Sequence, residues 1–434
     1  MMNDLKNNVM QVAADTAAAL NGLGSPALHA VRGRGAAALD ATEFPTSRHE
    51  EWKYTNLTPL SRVSFRTRSS AEPVDASAMS MFPAEEYPEL LVFVNGHHAP
   101  EVSRVAQSGV RVTSLHAGGG DERMFVDAHL GSLIAPATNA FVASNTACIS
   151  DGALVRIPKD TVVSHPIVIL SLVDARSAAT LVQPRHLIEV GENAQASFVF
   201  CTKTLGTNAS LSNVVTEMFL RKNAQCSWTL LQDDTSVASM VNTMHVMQEA
   251  HSVSRGMTVT LGGAVVRNDV SAMMTESASE ANMLGVYCIT GETLADNHTV
   301  MDHRVAHCLS NELFKGIVSG NARGVFNGKI FVRQDAQKTL AYQSNRNIVL
   351  SETASVNTKP QLEIFADDVK CSHGCTVGTI DEEAMFYAQS RGIGKEEARA
   401  LLLAAFVEDV TNNIPHDHLR ELVNRRLEEQ LRSE

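Results

Sequence analysis

The sequence predicts a mainly β protein, with a β-solenoid or β-helix core between helical ends. Three observations point there. First, from about residue 88 to 378, short runs rich in Val, Ile, Leu, Phe and Thr (LLVFVNG, ALVRIP, HPIVILSLV, HLIEV, NVVTEMFL) alternate with Gly, Asn, Asp and Pro. This is strand and turn composition. Second, GENAQASFVF at 191–200 and RKNAQCSWTL at 221–230 share a pattern that recurs more loosely at 248–257, 275–284 and 333–342. The anchoring alanines Ala194, Ala224, Ala250, Ala278 and Ala336 lie 30, 26, 28 and 58 residues apart, the last step being about twice the others. Self-similarity at this period marks a stacked architecture. Third, no helix of useful length alternates with the strands, which argues against a βαβ design. A large sandwich of antiparallel strands joined by type I turns is the other reading of the same pattern.

Residues 1–87 read as an N-terminal helical domain and linker. The alanine-rich stretches VMQVAADTAAAL and RGRGAAALDA are good helix formers, broken at GLGSP and EFPTS. The polar stretch RTRSSAEPVDAS (66–77) is the expected linker. Residues 88–378 form the β core. Residues 379–434 read as a C-terminal helical domain. Its first helix has Thr379 as N-cap and Glu382 in capping-box position, carries Met385, Phe386 and Tyr387, and stops at Arg391-Gly392. A second helix, from about Lys395 to Asn412, is expected to bury Ala398, Leu402, Ala405 and Phe406 before Pro415 ends it. The third sets Leu419, Val423, Leu427 and Leu431 on one side. A stacked β core has open edges, and the flanking helices are expected to cover them or to face a partner.

Bulk composition removes several classes of function. A net charge of -12 with no basic stripe disfavours nucleic acid and anionic membrane surfaces. The N-terminus lacks a secretory signal pattern, and the densest apolar run, HPIVILSLV, is too short to span a bilayer. The seven cysteines are scattered without a CxxC pair, unlike a secreted disulfide framework, so a reducing cytoplasm is expected. There is no phosphate loop, dinucleotide fingerprint, HExxH or GxSxG motif.

The strongest chemical signal is DDVKCSHGCTVG at 367–378. On a strand, Cys371, His373 and Cys375 share one face. Thiolate and imidazole are donors for zinc, copper(I) or iron–sulfur centres. Alternate strand residues lie about 6.6 Å apart, so a flat strand cannot wrap one ion with all three. An incomplete site finished by another segment or subunit is the easier construction, against the alternative that both thiols are small core residues. A secondary cluster holds His298, Asp302, His303, His307 and Cys308, with loop hydrogen bonding as the competing reading. In SRHEEWKYTNL (47–57), Trp52 and Tyr54 are expected to be a buried anchor with solvated charges around them.

HEEWKYTNL near the start, the block NIVLSETASVNTKPQLEIFADDVKCSHGCTVGTIDEEAMFYAQSRGI (347–393) and the helical tail together resemble the SufB/SufD family of the SUF iron–sulfur cluster assembly machinery. The resemblance spans nearly the whole chain and favours the SufD type, because Gly374 stands where SufB-type chains carry Glu. It implies a right-handed parallel β-helix between helical domains and a non-enzymatic scaffold. It further implies pairing with SufB and docking of a SufC ATPase on the C-terminal helices, the region of Met385, Phe386, Tyr387, Arg391 and Gly392. Cys371 and His373 fall on the family's functional cysteine and histidine at the SufB–SufD interface, where a transient cluster or iron is shared. Cys375 departs from the usual alanine and is expected to pack. The resemblance leaves open flavin at the level of the complex and a homodimer of the isolated chain. A β-helix enzyme acting on polysaccharide is the rival class. The adjacent Asp367 and Asp368 point to opposite faces of a strand, a poor acid/base pair.

Overall fold

The computed structural model describes residues 2–20, 24–67, 74–106, 110–116 and 119–432; positions 68–73 of the expected linker lie outside them. The core is a parallel β-solenoid. In one sheet Gln195, Gln225, Val253, Glu280, Leu309, Leu340 and Lys370 stack in register, in steps of 27 to 31 residues. The opposite sheet climbs through the strands Ser210–Leu220, Ala238–Gln248, Val265–Met274, Leu294–His303 and Arg323–Val332. Pairing along both ladders is parallel, which excludes the antiparallel sandwich.

The weak repeat is the corner between the sheets, in a register different from the expected one. Asn193, Asn223, His251, Ala278, His307 and Lys338 each adopt a left-handed φ of 58 to 64° two residues before a strand. The next residue in each corner, Ala194, Ala224, Ser252, Ser279, Cys308 or Thr339, is small and buried. Ala250 and Ala336 therefore lie just outside the equivalent position, and Ala278 is the left-handed residue itself. The doubled alanine spacing hides one full turn whose corner is His307-Cys308. Between the sheets runs a lumen packed with side chains such as Phe198, Trp228, Met244, Met301, Phe314 and Phe326. Gly256 admits the Trp228 ring, since a Cβ there would lie 2.0 Å from it.

Two helices interrupt the region expected to be free of them, Gly120–His129 and Ala140–Ala147. The second is buried on every side and so has no amphipathic period to read. A fully buried ion pair on adjacent solenoid strands anchors this part: Arg185 Nη2 meets Glu217 Oε2 at 2.7 Å. Glu217 also accepts the backbone N–H groups of Gly131, Leu133 and Ile134 at 2.7, 2.8 and 3.2 Å.

The terminal helices clamp the flanks rather than capping the open end. Met2–Leu20 and Pro26–Ala41 contribute Leu5, Val9 and Leu39 to a layer against Leu211, Val241, Val265 and Leu294. The anchor motif locks this layer. Trp52 is buried, with the Arg267 guanidinium 3.7 Å from its ring. Arg267 also bonds the Glu51 carbonyl at 2.8 Å and Asp296 at 2.7 Å. Tyr54 is only half-buried. Glu51, expected to be solvated, instead pairs with Lys329 at 2.5 Å and faces His298 at 3.6 Å, and those partners hold its carboxyl below the usual range.

On the other flank, Leu403, Val407, Val410, Leu419, Val423 and Leu427 pack over Val199, Leu231, Val259, Val286 and Ile317. Lys315 Nζ bridges Phe406 O at 2.6 Å and Asp409 at 2.7 Å, and Arg426 grips Asp233 at 3.0 Å. The last helix buries Leu419, Val423, Leu427 and Leu431 as its spacing predicts. In Lys395–Thr411 the buried face is Ala398, Leu403, Val407 and Val410; Ala405 is exposed, while Leu402 and Phe406 are half-buried. The face turns because the solenoid, not the helical seam alone, covers it. The helix Glu382–Ser390 is capped by Asp381, whose carboxylate accepts from Glu383 and Ala384 N–H, so Thr379 is not the cap. The carboxylate is the better acceptor for those amides at the positive helix end. The stop at Gly392 is as expected, with φ 90° and Gly392 N–H to Gln389 O at 3.0 Å.

Candidate functional site

The solenoid ends unfinished. Among the described residues, Lys370–Gly378 pairs only with Leu340–Val349. The opposite sheet ends in two short strands, Ser355–Thr358 and Gln361–Ile364, both on Arg323–Val332. Among the described residues nothing pairs with the outer edge of these strands. Apolar side chains gather there in the open: Ile364, Phe365, Val377 and Tyr342 are exposed. A long open strand edge with apolar neighbours is a template for another chain.

Register fixes where the candidate donors point. Cys371, His373 and Cys375 sit directly over Ala341, Gln343 and Asn345, all buried lumen residues. The trio therefore lies on the lumen side of the last rung and not on the outer flank. It stays accessible because no rung lies above it. Cys371 is half-buried against the lumen core and His373 is exposed. Burial raises the Cys371 thiol above its ordinary range. Cys375, expected to pack, is exposed for want of a covering layer. The other five cysteines are buried. Burial pushes the Cys148 and Cys201 thiols up to about 12, well away from thiolate chemistry. Cys371 and His373 are one soft and one borderline donor, types that iron and iron–sulfur centres accept, and their spacing makes them at most part of a ligand set. Among the described residues no group of three His, Cys, Asp or Glu side chains stands ready to hold an ion.

The secondary cluster is not brought together. His303 points into the lumen and bonds Ser310 at 2.8 Å, with burial pushing its imidazole down to about 4. His307 lies on an exposed left-handed corner. Cys308 is buried against Ser279 at 3.3 Å. His298 and Asp302 face the outer flank, in ion pairs with Asp296 and with Arg304 and Arg333. On the C-terminal helices, Phe386 and Tyr387 are 73% and 61% exposed. Met385 is half-buried, and Arg391 lies 3.2 Å from the Tyr387 hydroxyl. Between the last two helices, Glu396, Glu397, Leu401 and Glu428, with Arg432, line a mostly acidic-rimmed groove of about 550 Å³.

Sequence reasoning missed the polar column beneath the donors. Glu312, Gln343 and His373 stack in register on successive rungs, and Gln343 Nε2 donates to Glu312 Oε2 at 2.6 Å. A lone Glu at an apolar parity position of LSNELFKGIV was the available signal. Burial raises the Glu312 carboxyl from 4.5 to about 7. A buried acid with a raised folded pKa favours its protonated form. Its contribution to stability is therefore fullest below the unfolded value, declines as pH rises from about 4.5 to 7, and is flat above. Glu312→Gln is expected to be more stable than the wild type at pH 8 by up to about 3 kcal/mol and to match it near pH 4.5; denaturant midpoints at the two pH values check this.

The comparisons agree with one another. The SUF system FeS cluster assembly, SufBD core domain, matches residues 172–406, and the SufBD protein N-terminal region matches 4–169. An iron–sulfur cluster assembly SufBD family protein of Synechocystis is 33% identical over 387 residues, covering 87% of this chain and 85% of its own. The iron–sulfur cluster assembly protein SufD of Escherichia coli is 29% identical over 397 residues, 90% of each chain. A SufBD family protein of Mycobacterium tuberculosis is 27% identical over 402 residues, 91% of each.

Proposed function

The chain belongs to the SufBD family of the SUF iron–sulfur cluster assembly system, and from that premise we propose that it works as a SufD-type scaffold subunit. In this reading it pairs through its unfinished rung with a SufB-type chain. It contributes Cys371 and His373 to the place where iron and sulfur are assembled. A SufC-type ATPase docks on the C-terminal helices around Phe386 and Tyr387, so the ATP-driven step belongs to the partner. The work takes place in a reducing cytoplasm, where Cys371 and Cys375 stay free thiols.

The observation that carries the reading is a thiol and an imidazole on the open, lumen-side face of the last rung. A rigid stack places such donors well, while their spacing leaves the ligand set incomplete. A second chain on that edge supplies both the missing strand hydrogen bonds and the missing donors. The acidic-rimmed groove and the exposed aromatics of the C-terminal helices favour a partner with basic and apolar contacts. Gly374 favours the SufD type over the SufB type.

Co-expression with SufB-type and SufC-type subunits tests the assignment. All three are expected to co-purify. Phe386→Ala with Tyr387→Ala is expected to release the ATPase while keeping the SufB-type chain. Val377→Lys with Phe365→Asp is expected to release the SufB-type chain. A chain that elutes alone with both partners present removes the reading.

A further inference from the structure

We propose that Gln343 is a positioning residue for His373: its side-chain carbonyl receives an N–H of the imidazole, and Glu312 locks the amide in that orientation. The inference rests on the assembly reading only for its purpose; its geometry stands independently. Gln343 is 4% exposed, and its Oε1 has no hydrogen-bond partner. Its Nε2 donates to the Glu312 carboxylate at 2.6 Å, which fixes which end of the amide faces the buried acid. Above about pH 7, where Glu312 is ionised, its carboxylate cannot donate, so the flipped amide would set oxygen against oxygen. The remaining end is an acceptor.

Gln343 is the register partner of His373 on the next rung, with both side chains on the lumen side. Neighbouring strands lie about 4.8 Å apart, within reach of an imidazole leaning over the amide. Gly328 on the opposite sheet makes the seat, since a Cβ there would come within 2.3 Å of Gln343 Nε2. An orphaned buried carbonyl is costly, and the histidine is the polar side chain stacked on it. Ligating histidines commonly hand their second N–H to such an acceptor, which fixes the tautomer and points the free lone pair at the metal. Here that lone pair is aimed across the open rung.

The test uses the full-length chain with ¹⁵N-labelled histidine, His373 being assigned by its loss in His373→Ala. Wild-type His373 is expected to hold a single tautomer at pH 8, where Glu312 is ionised. Gln343→Leu is expected to shift it to the mixture seen for a free imidazole, and Gln343→Glu, which keeps an acceptor, is expected to restore one form. Gln343→Asn, which withdraws the oxygen by one methylene, takes the place of the leucine variant if that fails to fold. Fe(II) affinity measured in parallel is expected to fall about 10- to 100-fold in Gln343→Leu. An unchanged His373 tautomer in folded Gln343→Leu, or a tautomer mixture already present in the wild type, overturns the proposal. A fixed ring lost in Gln343→Leu supports it even where no Fe(II) binds, an outcome that counts only against the assembly reading.

Discussion

Alanine at Cys371 or at His373 is expected to lower cluster assembly by the complete SUF complex at least about tenfold. Loss of an outer-shell group alone often costs 10- to 100-fold in metal affinity, and these are the candidate ligands themselves. Folding and partner pairing should survive. Both side chains sit on the terminal rung; Cys371 packs on the lumen core from one side and His373 is exposed. Cys371→Ser separates the roles further, because it retains volume and polarity but removes the soft donor. Cys375→Ala is the internal comparison, expected to change assembly less than either. Iron and sulfide content per complex after reconstitution, read beside a size-exclusion profile, is the measurement. Full assembly in an intact complex carrying both alanines would remove these residues from the chemistry.

The largest loss of stability is expected from Glu217→Ala. The carboxylate is fully buried, pairs with an equally buried Arg185, and satisfies three backbone N–H groups from 131–134. Removing one partner of a buried pair leaves the other charge without compensation and costs about 3–5 kcal/mol. Arg185 would keep only long contacts to Asn145 and Thr146, at 3.4 and 3.3 Å. Glu217→Gln, which can still accept from the backbone, should lose distinctly less. A chain of this size need not unfold in one step. The midpoint of the first denaturant transition is therefore the quantity to compare, and equal midpoints for the alanine variant and the wild type would contradict the assignment.

How much was readable beforehand divides along physical lines. The stack was legible because alternate apolar runs and recurrent corners are local patterns. Its phase was not. The left-handed corner is occupied by Asn only at 193 and 223, and by His, Ala, His and Lys elsewhere. The ladders above and below hold that conformation, so the corner residue need not favour it, and alanine counting slipped by one to three positions. The helix Ala140–Ala147 was invisible because burial on all sides erases periodicity. Cys371 and His373 stood out by residue type and spacing. Their orientation toward the lumen, and Gln343 and Glu312 beneath them, come from pairing between residues about thirty positions apart, which no local window contains. The flanking position of the end helices was likewise a matter of which surface offered more apolar area.

In a solenoid each layer is held mainly by the layers next to it, so resistance to opening varies along the axis. Among the described residues Lys370–Gly378 has a paired strand on one side only, and most of its own residues are exposed. Heat or denaturant would therefore wear this molecule from the tip inward, with the thiol and the imidazole on the first layer to peel. A docked companion would turn that tip into an interior layer, so the same contact that brings the donors into use would also keep them from fraying.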